Sequence, residues 1–122
     1  MRASDHHSPV RTIMFFVVDP PAAAAWYRDV VLGRGVVEEE ADYWYLDVDG
    51  VEIGFHPADP DRNPAGGGAV VYFAVPSVDA AREKALAAGA RHHRGPLEIE
   101  PLRAICQLVD PFGNVFGLDG PI

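Results

Sequence analysis

TIMFFVV at residues 12–18, followed after Asp19 by PPAAAAWYRDVVLG at 20–33, is a β-branched and aromatic run leading into an alanine-rich one. The same order returns as AVVYFAV at 69–75 and PSVDAAREKALAAG at 76–89. Val17 and Val75 stand 58 residues apart, and Gly33 and Gly89 stand 56 apart. A near-constant offset of this size marks one supersecondary module used twice, because a unit so short cannot bury its apolar face alone. Two like modules facing each other create a cleft, and clefts are where small molecules bind.

Working outward, the pattern predicts a first strand over 11–18. Asp19 is placed as an N-cap and Pro20 lies in the first helical turn, where its missing N–H costs nothing. The helix runs to about residue 31 and Gly33 ends it. Strands follow at 36–40 and 43–48, then the Asp49-Gly50 hairpin signal and a strand at 51–56. PADPDRNPAGGG (57–68) is too rich in Pro, Gly and Asp for a regular element and reads as a linker over 58–68. In the second half a strand at 69–75 precedes Ser77, an N-cap candidate, and a helix over 78–88 stopped by Gly89. A short strand at 90–94, a longer one within 98–109, the turn DPFGN (110–114) and a last strand at 115–118 complete it. Each half reads β-α-β-β-β, an α+β class. The organisation is a loose tail over 1–10, a first module over 11–57, the linker, and a second module over 69–122, together one domain.

Bulk composition excludes several classes. With 48% hydrophobic residues in 122, the chain can build a core and is not disordered. No apolar run reaches the roughly 20 residues that span a bilayer, and the N-terminus lacks a signal-peptide core. A soluble, cytoplasmic protein without a membrane partner is expected. Net charge of −8 argues against nucleic acid, whose phosphates need a basic face. Glu38-Glu39-Glu40 with Asp42 reads either as a solvated turn or as an acidic rim attracting a cationic ligand. Cys106, alone in the chain, sits in the apolar AICQLV and reads as a buried small hydrophobe. His6 and His7 fall in the tail. His92 and His93 are adjacent, so in a strand they face opposite ways.

The β-α-β-β-β order, the helix end WYRDVVLG and the DPFGN turn before a short final strand resemble the vicinal oxygen chelate superfamily, which includes glyoxalase I, extradiol dioxygenases and bleomycin-resistance proteins. The resemblance covers residues 11 to 118. It implies that the two βαβββ modules form paired half-barrels around a cleft. In its metal enzymes, inward strand positions hold a divalent ion that grips two substrate oxygens. By pattern, those positions fall at Thr12, Gly54, Val70 and Gly117 here, none a good ligand. Their neighbours Ile13, Ile53, Phe55, Val71 and Phe116 are apolar, so a one-residue shift restores nothing. The expectation is no metal and no cofactor.

What replaces the metal is read from strand parity. Glu52, Gly54 and His56 share one face, and a Glu with a His can do acid–base work, so these two are the candidate catalytic pair if there is one; the alternative is that both are solvated. Gly54 and Gly117 clear volume for a ligand. Thr12, Met14, Phe16, Trp44, Tyr72 and Ala74 complete an apolar, aromatic lining suited to a flat molecule. Tyr43 and Tyr45 share one face and Trp44 the other, so not all three line the cleft. Trp26 and Tyr27 pack against the sheet. The leading reading is a metal-independent binding protein of bleomycin-resistance type, a homodimer by resemblance, sequestering a cationic or aromatic natural product. The alternatives are a lyase or isomerase with a non-standard site, and an accessory domain with a filled cleft.

Overall fold

The computed structural model describes residues 10, 12–61, 63–67 and 69–122. His6 and His7, the start of the first predicted strand at Arg11, and two residues of the predicted linker, Arg62 and Gly68, lie outside them. The chain divides into two compact units, one ending at Ala65 and the other covering Gly66–Ile122. Each is a four-stranded sheet with one helical segment between its first two strands.

In the first unit β1 (Thr12–Val17) leads to helix α1 (Pro20–Trp26) and then β2 (Glu38–Glu40), β3 (Tyr43–Val48) and β4 (Val51–Pro57). The spatial order is β1-β4-β3-β2, with β1 parallel to β4 and the other pairs antiparallel. The second unit repeats it: β5 (Val71–Ala74), α2 (Val78–Ala87), β6 (Arg91–Glu100), β7 (Arg103–Val109) and β8 (Val115–Pro121), in the order β5-β8-β7-β6. The two βαβββ modules read from the sequence are therefore present, with the same connectivity.

The predicted caps form. Asp19 accepts from the Ala22 N–H and Ser77 from the Ala80 N–H, both at 3.2 Å, and each cap is worth about 1 kcal/mol. The hairpin turn between β3 and β4 has Asp49 at φ 53° and Gly50 at φ 85°, the mirror-image turn that matches strand twist. The first helix departs from expectation: its α-helical part ends at Trp26, and residues Tyr27–Leu32 continue as π-helix before Gly33. That widened turn starts at Tyr27, which is fully buried. Its ring lies 5.1 Å from Phe15 and 5.2 Å from Phe55, while Phe15 and Phe55 stack at 5.6 Å. Phe15, Val17, Ile53, Phe55 and Leu46 thus face the helix, and alternation sends Thr12, Met14, Phe16, Glu52, Gly54 and His56 to the opposite, open face.

The second unit packs smaller groups. Val78 and Ala85 of α2 are buried, as are Phe73, Cys106, Leu108, Phe116 and Leu118 on the helix side of the sheet. Burial pushes the Cys106 thiol up, which suppresses the thiolate. The DPFGN turn is built around Asp110, whose Oδ1 accepts from the N–H groups of Phe112 and Asn114. Asn114 in turn accepts from the Gly66 N–H at 2.7 Å, tying the start of this unit to its last hairpin.

One strand was divided wrongly by the sequence pattern. Of the strands expected at 90–94 and within 98–109, residues 91–94 and 98–100 belong to a single ten-residue strand, β6. Gly95-Pro96 reads as a break, yet β6 is an edge strand, where the missing proline N–H is tolerated. The register slips there by one residue: Arg94 pairs with Gln107 and Leu97 with Ile105. This is a β-bulge, and it requires Gly95, which has φ +80° and would set a Cβ 3.0 Å from the Ile105 carbonyl oxygen.

Candidate functional site

The open face of each sheet is organised by one cross-strand row through a glycine. In the first unit the row is Glu38 (β2), Tyr45 (β3), Gly54 (β4) and Met14 (β1). In the second it is Arg94 (β6), Gln107 (β7), Gly117 (β8) and Tyr72 (β5). Both glycines are buried.

The space above each glycine is taken by a tyrosine ring rather than left clear. A Cβ on Gly54 would fall on the Tyr43 phenol, and one on Gly117 would fall on the Tyr72 ring. Tyr43 comes from two residues further along β3. It is held by donating to Glu52 Oε2 at 2.6 Å and stacks on Tyr45 at 5.4 Å between centroids and 20° between planes. Tyr72 lies beside Gly117 and is held by the Gln107 amide, which donates to its phenol oxygen at 2.7 Å. Both rings fit because glycine has no side chain to oppose them.

The same face of the first unit is acidic. Glu38 and Glu40 pair with Tyr45 and Tyr43, and Asp47 pairs with Glu52. Burial raises the Tyr45 phenol above its ordinary range, and Glu38, Glu40, Glu52 and Asp47 raise it further. Burial first, and then the bond to Glu52, holds the Tyr43 phenol well above its usual 10.0. Both phenols stay neutral near neutral pH, and Tyr43 acts as a fixed donor to a carboxylate. The acidic run is an exposed edge strand rather than a turn.

The candidates from sequence fall as follows. Thr12, Met14, Phe16, Glu52, Gly54 and His56 share the open face of the first unit, and Tyr72 and Gly117 share that of the second. Glu52 is half-buried under Tyr43, whereas His56 is exposed, its ring 6.0 Å from Phe16 and its Nδ1 3.1 Å from the Pro57 carbonyl oxygen. Trp44 must be corrected. It pairs with Phe55 and therefore lies on the helix side of its sheet, away from Met14 and Glu52. Tyr43 and Tyr45 take the open face instead. Arg94 and Gln107 escaped the sequence reading, since only the register of β6, bulge included, brings Arg94 into the glycine row.

The residues present do not fit a divalent ion of the kind the resemblance implies. Gly54 and Gly117 are covered by phenol rings, and Thr12 and Val70 offer no strong ligand. Among the described residues no group of three or more His, Cys, Asp or Glu side chains is placed to hold a metal. No step is derived through such an ion.

Beside Tyr72 the second unit carries a cavity of about 310 Å³. Its polar walls are Arg94, Gln107 and Tyr72, and its apolar walls are Pro96, Leu97 and Ile105.

Comparison with known proteins agrees with this architecture. A glyoxalase/bleomycin resistance protein from Albidiferax ferrireducens superposes with a TM-score of 0.75 at 20% identity, covering 94% of this chain and 100% of the other. A glyoxalase/bleomycin resistance protein/dioxygenase family enzyme from Burkholderia phytofirmans gives 0.77 at 22% identity, with 94% and 100% covered. An antibiotic binding protein from a Streptomyces species gives 0.71 at 20% identity, with 95% and 98% covered. At such identities these likenesses establish the fold alone. No curated protein matches the sequence. The sequence profile of one family matches residues 10–118, nearly the whole length of both modules, and on that match the chain belongs to the Glyoxalase/Bleomycin resistance protein/Dioxygenase superfamily.

Proposed function

We propose that this chain binds a small molecule without a metal ion, sequestering a cationic or aromatic natural product in the cytoplasm as a homodimer. The observation that carries this reading is the pair of tyrosine rings seated over Gly54 and Gly117. They put an aromatic surface and a phenol where a metal enzyme of the superfamily would need a ligand. Such a surface suits stacking and hydrogen bonding rather than Lewis-acid chemistry. In the first unit the stacked Tyr43 and Tyr45, ringed by Glu38, Glu40, Asp47 and Glu52, match an organic cation. The likeness to a protein described as antibiotic binding supports the same class. The exposed edge strand β6 suits pairing with a second copy.

A lyase or isomerase using Glu52 and His56 is the second reading, and it rests on their shared face. It is weaker because the Glu52 carboxylate is already engaged by Tyr43.

The test is metal content of the purified protein together with its melting temperature, before and after chelator and with added divalent ions. The expected result is substoichiometric metal and an unmoved melt. Cationic or aromatic compounds should then stabilise the fold without turnover, by about 2.7 kcal/mol at a hundred times Kd. Stoichiometric metal with a chelator-sensitive melt overturns the proposal.

A further inference from the structure

The cavity of the second unit has a chemistry of its own. Its row runs Arg94–Gln107–Gly117–Tyr72 across four strands. The Tyr72 phenol oxygen accepts from Gln107 Nε2, which leaves the phenol's own proton to donate elsewhere. Arg94 makes no ion pair among the described residues, although Arg28, Arg34 and Arg103 each have a carboxylate partner. The bulge at Gly95-Pro96 lies between Arg94 and Leu97, and these residues with Ile105 form the cavity wall. Leu97 is 60% exposed there, a large aliphatic side chain without cover.

We propose that this cavity selects ligands that carry a carboxylate or an ionised hydroxyl on a flat apolar ring, and that Arg94 is the residue that sets the preference. The proposal rests on the binding reading above and adds the charge and shape of one ligand class. Two hydrogen-bond donors line the same cavity, one a guanidinium able to make two parallel bonds to a carboxylate. A ring lies against Pro96, Leu97 and Ile105. A cavity of about 310 Å³ is at the small end of ligand sites, which suits one or two fused rings. Unlike the tyrosines of the first unit, this site presents no carboxylate in its walls.

The test uses the full chain and three probes of one shape: 2-naphthoate, neutral 2-naphthamide and cationic 2-naphthylmethylammonium, with binding measured by calorimetry at two salt concentrations. In the native protein 2-naphthoate should bind about tenfold more tightly than the amide, the gap narrowing with salt. Arg94→Gln should remove the gap, and Arg94→Lys should keep part of it. Tyr72→Phe should weaken both naphthoate and amide, because it deletes the donor they share. Equal affinity for acid and amide in the native protein, or a gap that survives in Arg94→Gln, overturns the inference. Binding of the cation without the acid also overturns it, yet leaves the binding reading standing. That reading fails separately, on the metal and chelator test. Melting temperatures of the variants show whether each is folded, and the comparison of probes within the native protein stands without them.

Discussion

The glycine rows of the two units differ most at their outer ends. Glu38-Glu39-Glu40 forms the edge strand of the first sheet, and Arg91-His92-His93-Arg94 begins the edge strand of the second. Both strands occupy the same place in the same topology. Inward from them, Tyr45 answers to Gln107, Gly54 to Gly117 and Met14 to Tyr72. The duplicated backbone thus keeps the glycine and changes the chemistry around it. One face is acidic and aromatic, the other cationic and amide-lined. A repeat fixes where side chains stand; it does not fix what they recognise.

The largest effect should come from filling the glycines. Gly54→Val places a side chain on the Tyr43 phenol and Gly117→Val places one on the Tyr72 ring. Each should cost about 3 kcal/mol, read by denaturant unfolding. Adding Tyr43→Ala to the first or Tyr72→Ala to the second should recover part of the loss, a coupling of at least about 1 kcal/mol in a double-mutant cycle. Additive effects would show that the rings do not depend on the glycines.

A smaller contrast separates the two bonds that hold the rings. Tyr43→Phe leaves a half-buried Glu52 without its donor and should cost about 1–2 kcal/mol; Gln107→Leu removes a bond between neutral groups and should cost less than about 1 kcal/mol. The first has a pH signature. Because folding raises the Tyr43 phenol, its contribution is complete below the ordinary value of 10.0 and is lost as pH rises beyond it. Native protein should lose more stability between neutral pH and strong alkali than Tyr43→Phe does.

The smallest effect concerns Arg103 and Asp119, joined by two bonds of 2.8 Å on the open face of the second sheet. Arg103 holds the Asp119 carboxyl below its usual range. A lowered carboxyl stabilises the fold above its unfolded value and loses that effect as pH falls through the folded one. Arg103→Gln should therefore lower the melting temperature only slightly near neutrality, because solvent screens the pair, and the deficit should vanish in acid. A deficit unchanged in acid would assign it to packing of the arginine stem.

Much of the fold was legible because its signals are local. Asp19 and Ser77 cap as read, Asp49-Gly50 turns as read, and strand alternation placed Met14, Glu52, Gly54 and His56 on one face. The π-helical turn at Tyr27 was not legible, since its sequence is an ordinary helical one and the core decides its winding. Gly95-Pro96 misled because a breaker in mid-sheet is a bulge at an edge, and sequence does not say which strands are edges. Within the site, period two put Trp44 opposite Tyr43 and Tyr45, but only the pairing of Trp44 with Phe55 decides which side faces the helix. The tyrosines over the glycines were hidden for a further reason. Tyr43 reaches Gly54 diagonally across strands, eleven residues away in sequence, and a ring's direction leaves no periodic trace.

The seating of tyrosine on glycine also constrains which descendants this chain can have. A substitution that brings a carboxylate or imidazole to position 54 or 117 must first displace an aromatic ring that already fills the space. Conversely, shrinking Tyr43 or Tyr72 alone uncovers bare backbone and brings no ligand. Each route begins with a damaging step, so placing a metal-ligating side chain at either position requires paired changes within a unit. The ring and the glycine behave as one unit of packing, and the edge residues around them are free of that constraint.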